Sequence, residues 1–221
     1  MEKHIVKILS ANYVTHNVRH FVVEKPEGFT YIPGQATDVS INKPGQEEEL
    51  RPFTFTSLTD AEHLEFVIKI YKDHDGVTSK LGDLKPGDEL ILHEVFGAIN
   101  YKGPGIFIAG GAGITPFLAI LRSIQKNGEA GKCTLLFANH TEDDIILKDE
   151  LKAMLNSHFI NVLSNPKSGA TKKYIDKELL SQFTGADDRH YYVCGPDQFT
   201  TAMVNILKEL NVKEDKIIIE Q

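Results

Sequence analysis

The chain has 221 residues, 41% of them hydrophobic and 25% charged, a globular composition that excludes disordered, collagen-like and coiled-coil classes and leaves room for two compact domains. A formal net charge of −7 offers no general attraction to nucleic-acid phosphates or to an acidic membrane surface, so neither is expected as a partner. Cys133 and Cys194 are the only cysteines, too few for a four-thiolate iron–sulfur cluster or a Cys-built zinc site, and no metal centre is expected. No stretch reaches the roughly 20 apolar residues of a membrane span, and the N-terminus lacks a leader-like apolar run. The expectation is a cytoplasmic protein without membrane insertion.

From Lys3 to about Glu94 the apolar residues fall in short, partly alternating runs: HIVKIL, VRHFVVE, ATDVSI, FTFTSL, LEFVIKIY and DELILHEV. Their β-branched and aromatic content predicts strands, and turn residues such as Pro33-Gly34 and Pro86-Gly87-Asp88 separate them. About six antiparallel strands suggest a small closed barrel or a sandwich; barrel closure removes sheet edges, so an all-β antiparallel, Greek-key barrel is expected over residues 1–100, with one short helix near Ser79 to Leu84.

After Tyr101-Lys102-Gly103-Pro104-Gly105 the rhythm becomes strand, turn, amphipathic helix, repeated. Strands are predicted at IFIA, TLLFA, FINVL, YYVC and IIIE, and helices from Pro116, through Asp143 to Leu155, near Tyr174 to Phe183, and from Asp197 to Leu210. Residues 101–221 therefore read as an α/β domain with a five-stranded parallel sheet, the junction lying near Asn100 to Gly105.

Within IFIAGGAGITPF a buried strand runs into Gly110, Gly111 and Gly113, with Thr115 placed as N-cap and Pro116 as first helical residue of the following helix. Such a helix start offers free N–H groups and a positive dipole end to a pyrophosphate or a nucleotide edge. Cys194-Gly195-Pro196 ends the fourth strand of this half, where an open parallel sheet places its ligands, so the two segments are expected to border one crevice. No histidine stands at a spacing that ties it to Cys194, which argues against thiol catalysis.

RPFTFTS (51–57), VIKIYKDHDGVTSKL (67–81), AGGAGITPF (109–117), LLFANHTEDDIIL (135–147) and CGP (194–196) together resemble the ferredoxin–NADP reductase superfamily. The wording is most similar to its NADH-cytochrome b5 reductase and flavohemoglobin-reductase branch and to short bacterial flavodoxin or ferredoxin reductases. The resemblance covers nearly the whole chain in the family's order. It implies a flavin-binding barrel followed by a pyridine-nucleotide domain, with hydride passing between them. It further implies that Arg51 pairs with the flavin pyrophosphate, that Pro52 contacts the flavin and Phe53 lies against the isoalloxazine ring, and that the Thr54 hydroxyl reaches flavin N5. Phe53 stands where the family usually has Tyr, keeping the stacking surface and losing a hydroxyl. Strict strand alternation would put Phe53 and Thr54 on opposite faces, so a local twist is expected there. Val67, Lys69 and Tyr71 would line the ribityl and phosphate region, and Gly76, Val77, Thr78 and Ser79 the second pole of the pyrophosphate, which favours FAD over FMN.

By the same resemblance Gly110, Gly111, Gly113, Thr115 and Pro116 form the nicotinamide-nucleotide turn, Cys194, Gly195 and Pro196 lie beside the nicotinamide, and Glu220 approaches the flavin as a proton relay. NADH is favoured over NADPH by family wording, although Lys167 is a residue that a 2′-phosphate would recruit. The expected function is a flavin-dependent NAD(P)H oxidoreductase handing electrons to a separate acceptor: a ferredoxin, flavodoxin, haem protein, oxygenase component or small molecule. The alternatives are a non-catalytic flavin-binding subunit that transfers electrons or regulates a larger complex, and a nucleotide-binding protein without flavin.

Overall fold

Inward apolar side chains alternating with outward polar ones turn the first half of the chain into strands. In the computed structural model, which describes residues 3–73, 76–97, 99–167, 173–185 and 189–220, these are β1 (His4–Thr15), β2 (Val18–Glu24), β3 (Gln35–Ile41), β4 (Arg51–Thr54), β5 (His63–Lys69) and β6 (Glu89–Gly97). They form one antiparallel sheet in the order β4-β3-β6-β1-β2-β5. Val6, Ile8, Phe21, Val23, Leu64, Phe66 and Ile68 meet Phe55 in its core. Register shifts at Ile8/Ser10 and Tyr13/Thr15 bend β1, which pairs with β6 at its start and with β2 beyond.

The strand expected over FTFTSL lies earlier, at Arg51–Thr54. Beyond Thr54 the chain crosses from β3 to β5: Phe55 N–H still donates to Gln35 O (3.1 Å), whereas Thr56 N–H donates to Glu65 O (2.9 Å). Ser57 Oγ accepts from Glu65 N–H at 3.1 Å. This crossing joins the two edge strands and makes the sheet barrel-like.

The short helix falls at α1 (Val77–Leu81), two residues earlier than expected, with Val77 and Leu81 buried in the barrel core. Its C-terminal end rests on Arg19 of β2, which is only 6% exposed. Arg19 donates to the carbonyls of Leu81 (2.9 Å), Gly82 (3.0 Å), Leu84 (3.0 Å) and, across the sheet, Ala11 (2.7 Å). Carbonyls at a helix end supply the negative partial charge that a buried guanidinium needs.

The second half is a parallel sheet in the order β11-β10-β7-β8-β9, built from β7 (Gly105–Gly110), β8 (Thr134–Asn139), β9 (Phe159–Leu163), β10 (His190–Cys194) and β11 (Ile217–Ile219). β7 is buried throughout, with Phe107 and Ala109 packing on one face and Ile106 and Ile108 on the other, the mark of a central strand covered by helices. Those helices are α2 (Thr115–Lys126), α3 (Lys148–Leu155), α4 (Lys177–Ser181) and α5 (Asp197–Glu209). The helix expected from Asp143 to Leu155 is interrupted. Thr141 donates its N–H (2.8 Å) and hydroxyl (2.7 Å) to Asp144, closing a single 3₁₀ turn at Glu142–Asp144, and Leu147 takes a left-handed conformation before α3 begins. Buried Ile145 and Ile146 fill the core between them.

The first core of the parallel sheet includes Val18, Val67 and Ile99, so the two halves share apolar packing. The segment that joins them is pinned as well. The Tyr192 hydroxyl accepts from Lys102 N–H (2.9 Å) and donates to Gly103 O (2.7 Å), and its ring stacks on Phe107 with centroids 4.5 Å apart. Among the described residues no helix is long and apolar enough to cross a membrane.

Candidate active site

The consecutive strands β7, β8 and β9 run to one side of the sheet, and β10 returns to the other side of β7. This reversal opens a crevice at the carboxyl ends of β7 and β10, where Gly110 and Cys194 stand one register step apart. A cleft of about 920 Å³ occupies this place and extends to the barrel, within the range of roughly 300–1,000 Å³ usual for ligand sites.

On the nucleotide side the wall contains Gly110, Gly111, Gly113, Thr115 and Pro116 together with Cys194, Gly195 and Pro196. The glycines serve two purposes. A Cβ on Gly113 would lie 2.3 Å from Cys194 O, and one on Gly195 would lie 2.6 Å from the Phe199 ring and 3.3 Å from Gly110 Cα, so the two turns pack back to back. Gly111, with φ +52°, meets nothing within 4 Å and leaves backbone free to face a ligand. Thr115 is not the N-cap the sequence suggests. A 3₁₀ turn at Gly111–Ile114 runs directly into α2, so the helical run begins at the glycines and the Thr115 hydroxyl donates back to Ala112 O at 3.0 Å. The free N–H groups therefore belong to the glycine turn itself.

On the barrel side the wall contains Pro52, Phe53, Thr54, Val67, Lys69 and Tyr71. The crossing after Thr54 supplies the anticipated twist, since three successive residues of one strand border the same space. Thr54 is buried and Tyr71 half exposed, and the Lys69 ammonium lies 5.5 Å from the centre of the Tyr71 ring. Arg51 and Gly76, Val77, Thr78 and Ser79 do not border this cleft. Arg51 is exposed and donates to Leu50 O at 3.0 Å; Ser79 and Lys80 N–H donate to Gly76 O.

Cys194 and the exposed Glu220 come together on the cleft wall. The Cys194 thiol donates to Glu220 Oε2 at 3.4 Å. Burial, and then the Glu220 carboxylate, push the thiol pKa far above its ordinary value, so Cys194 stays protonated and presents a packing surface instead of a nucleophile. Lys167, in contrast, is engaged away from the cleft wall: its ammonium lies 2.5 Å from Asp143 and its N–H donates to Glu142 at 2.9 Å.

Several wall residues have no role that the sequence alone assigns. Asn17 comes from the β1–β2 turn and Val18 from the start of β2, His140 follows β8 within LLFANHTEDDIIL, and Ser164 and Tyr174 lie beyond β9. The strand-end rule would have found Asn139, His140 and Ser164, which stand at or just beyond the ends of β8 and β9. Both amide atoms of Asn139 are buried without a hydrogen-bond partner, an unmet demand at the wall of a ligand site. The Phe53 side chain, the buried Thr54 hydroxyl, the cationic Lys69 and the open glycine turn border one space, a lining that fits a flavin on the barrel side and a nicotinamide nucleotide on the other.

Residues 6–101 match the model of the oxidoreductase FAD-binding domain and residues 107–205 that of the oxidoreductase NAD-binding domain. NADH–cytochrome b5 reductase 1 of Arabidopsis thaliana is 31% identical over 224 residues, covering 92% of this chain and 79% of that one. NADH-cytochrome b5 reductase 1 of Rattus norvegicus is 30% identical, covering 88% and 77%. Among solved structures, the CS-b5R domains of human Ncb5or in the NAD+ form superpose with a TM-score of 0.82 at 28% identity, covering 98% of this chain and 68% of that one. The flavohem-like FAD/NAD-binding domain of a Vibrio cholerae nitric oxide dioxygenase shares the fold, with a TM-score of 0.83 at 21% identity over 97% and 96% of the two chains. With both halves matched and both bordering one cleft, the chain belongs to the ferredoxin–NADP reductase superfamily, in its NADH–cytochrome b5 reductase branch, and is an FAD- and NAD-binding oxidoreductase.

Proposed function

We propose that this reductase draws hydride from NADH and delivers the electrons to a separate haem protein. The observation that carries the reading is the convergence of Thr54 from the barrel and Cys194 from the parallel sheet on one cleft. A bound flavin supplies the chemistry there, accepting a hydride and releasing electrons singly. Thr54, buried in the wall, is suited to hydrogen-bond the ring at N5, and Phe53 to pack against it. Cys194, kept neutral, holds the nicotinamide at reacting distance by shape, and Glu220 moves the proton that follows reduction. Lys69 and Tyr71 border the flavin's chain. Arg51 and the Gly76–Ser79 turn lie outside the main cleft and grip the pyrophosphate of FAD by the family resemblance. The flavin-binding unit would then span residues 1–100 and the nucleotide unit 101–221.

Two observations support NADH over NADPH: relatives carry NADH in their names, and Lys167 is already held by Asp143 and Glu142. The haem acceptor is supported by relatives named for cytochrome b5. The two free, buried cysteines accord with a reducing cytoplasm. Anaerobic mixing of the FAD-loaded protein with NADH should bleach the flavin, and the same concentration of NADPH should do so at least tenfold more slowly. Failure of both nucleotides to bleach it would sink the reductase reading, and equal rates would remove the preference.

A further inference from the structure

The start of α2 borders the cleft at Thr115 and Pro116. About two turns further along, roughly 9 Å at 1.5 Å per residue, Arg122 leaves its own half of the molecule. Its Nη1 donates to Thr56 O at 2.7 Å and to Glu65 Oε2 at 2.9 Å, both in the barrel half. Nε and Nη2 meanwhile grip the two oxygens of Glu150 on α3 at 2.6 and 3.0 Å. The guanidinium is mostly buried, with 16% of its side chain exposed. The same Glu65 oxygen also bonds His20 Nε2 at 2.9 Å, and Lys126, one turn on, pairs with Asp60 across the same boundary.

The barrel residues chosen by Arg122 are close in sequence to the site. Thr56 follows Thr54 by two positions and sits at the crossing where β4 leaves β3. Glu65 shares the outward face of β5 with Val67 and Lys69, both of which border the cleft. One rigid helix thus touches the nucleotide side of the cleft at its first turn and the carrier of Thr54 at its middle. We propose that Arg122 is a positioning residue that fixes the gap across which hydride passes, holding the glycine turn in register with Thr54. In that step a hydride leaves NADH, giving NAD+, and adds with its electron pair to oxidised flavin. Displacements of about 1 Å change such rates by up to about 100-fold, and only a fork of donors serves all three acceptors at once.

This inference rests on the reductase reading. Its test compares the wild-type protein with Arg122→Gln and Arg122→Lys, each FAD-loaded and reduced by NADH under anaerobic single-turnover conditions. R122Q should lower the limiting reduction rate about tenfold or more while the apparent NADH dissociation constant stays within twofold. R122K, which reaches one acceptor at a time, should recover part of the rate. In the apoproteins, hydrogen exchange at the Phe55–Ser57 amides should be several-fold faster in R122Q than in wild type. A wild-type limiting rate in R122Q overturns the proposal, as does a rate loss that excess FAD restores. If R122Q fails to fold, a wild-type rate in R122K overturns it equally. Failure of the wild-type protein to be bleached would count against the reductase reading, and the exchange measurement would still decide whether Arg122 holds the crossing.

Discussion

Gly113 and Gly111 sit two residues apart in the same turn and answer to different constraints. Gly113 faces protein: a methyl group there would press on the carbonyl of Cys194 from 2.3 Å, and neither backbone can yield without opening the crevice. Gly111 faces open space, and only its left-handed backbone resists substitution. Gly113→Ala is therefore expected to destabilise the protein by about 3 kcal/mol and Gly111→Ala by about 1 kcal/mol, read from urea midpoints of the two variants. The reverse order would mean that the two turns are free to separate. The motif alone places these glycines at a nucleotide turn, but which of them packs and which opens depends on Cys194 and Phe199, some 80 residues later in the chain. Thr115 teaches the same lesson: its position before Pro116 looks like a cap, yet the 3₁₀ turn upstream has already started the helix.

At the scale of elements, α1 depends on a residue from another strand. Five residues are too few for a helix to hold itself, and Arg19 secures its C-terminal carbonyls from inside the barrel. Arg19→Met should remove the side-chain donor from four carbonyls, destabilise the protein by roughly 2–4 kcal/mol, and loosen FAD more than NADH, as measured by flavin release and nucleotide titration. Unchanged flavin affinity would show that α1 needs no such support. Strands are legible in the sequence because period-two alternation and short continuous apolar runs are local signals; the alternating runs containing Val6 and Ile8 and Phe21 and Val23, and the continuous run Ile106 to Ile108, all form strands. Helix limits were less legible. The interruption between Asp144 and Lys148 comes from the Thr141–Asp144 turn and from the burial of Ile145 and Ile146, a tertiary demand that overrides the helical spacing around them. The cleft itself was half legible: family motifs named Thr54, Cys194 and the glycines, whereas Asn17, Ser164 and Tyr174 reach it only through the fold.

For the molecule as a whole, the boundary between the halves is charged as well as apolar. The hydrogen bond from His20 outweighs the penalty of burial and, with Arg122 adding to it, lowers the Glu65 pKa from 4.5 to about 2. A carboxyl whose folded pKa lies below its unfolded value stabilises the fold above the unfolded value and ceases to do so as pH falls through the folded one. The contribution should thus be complete above about pH 4.5 and vanish toward pH 2, with an upper bound of about 3 kcal/mol. Glu65→Gln should flatten the pH dependence of the unfolding free energy in that window; an unchanged slope would show that the ion pair carries no stability. The segment between the halves bears on another matter, the exchange of modules between related reductases. Because Tyr192 grips Lys102 and Gly103 from a strand 90 residues downstream, the tether belongs structurally to the second half. A chimera cut at residue 104 would carry its tether on one parent and the clasp on another. Cutting before Tyr101 keeps both together, and a foreign barrel grafted there would inherit a ready-made, immobile joint.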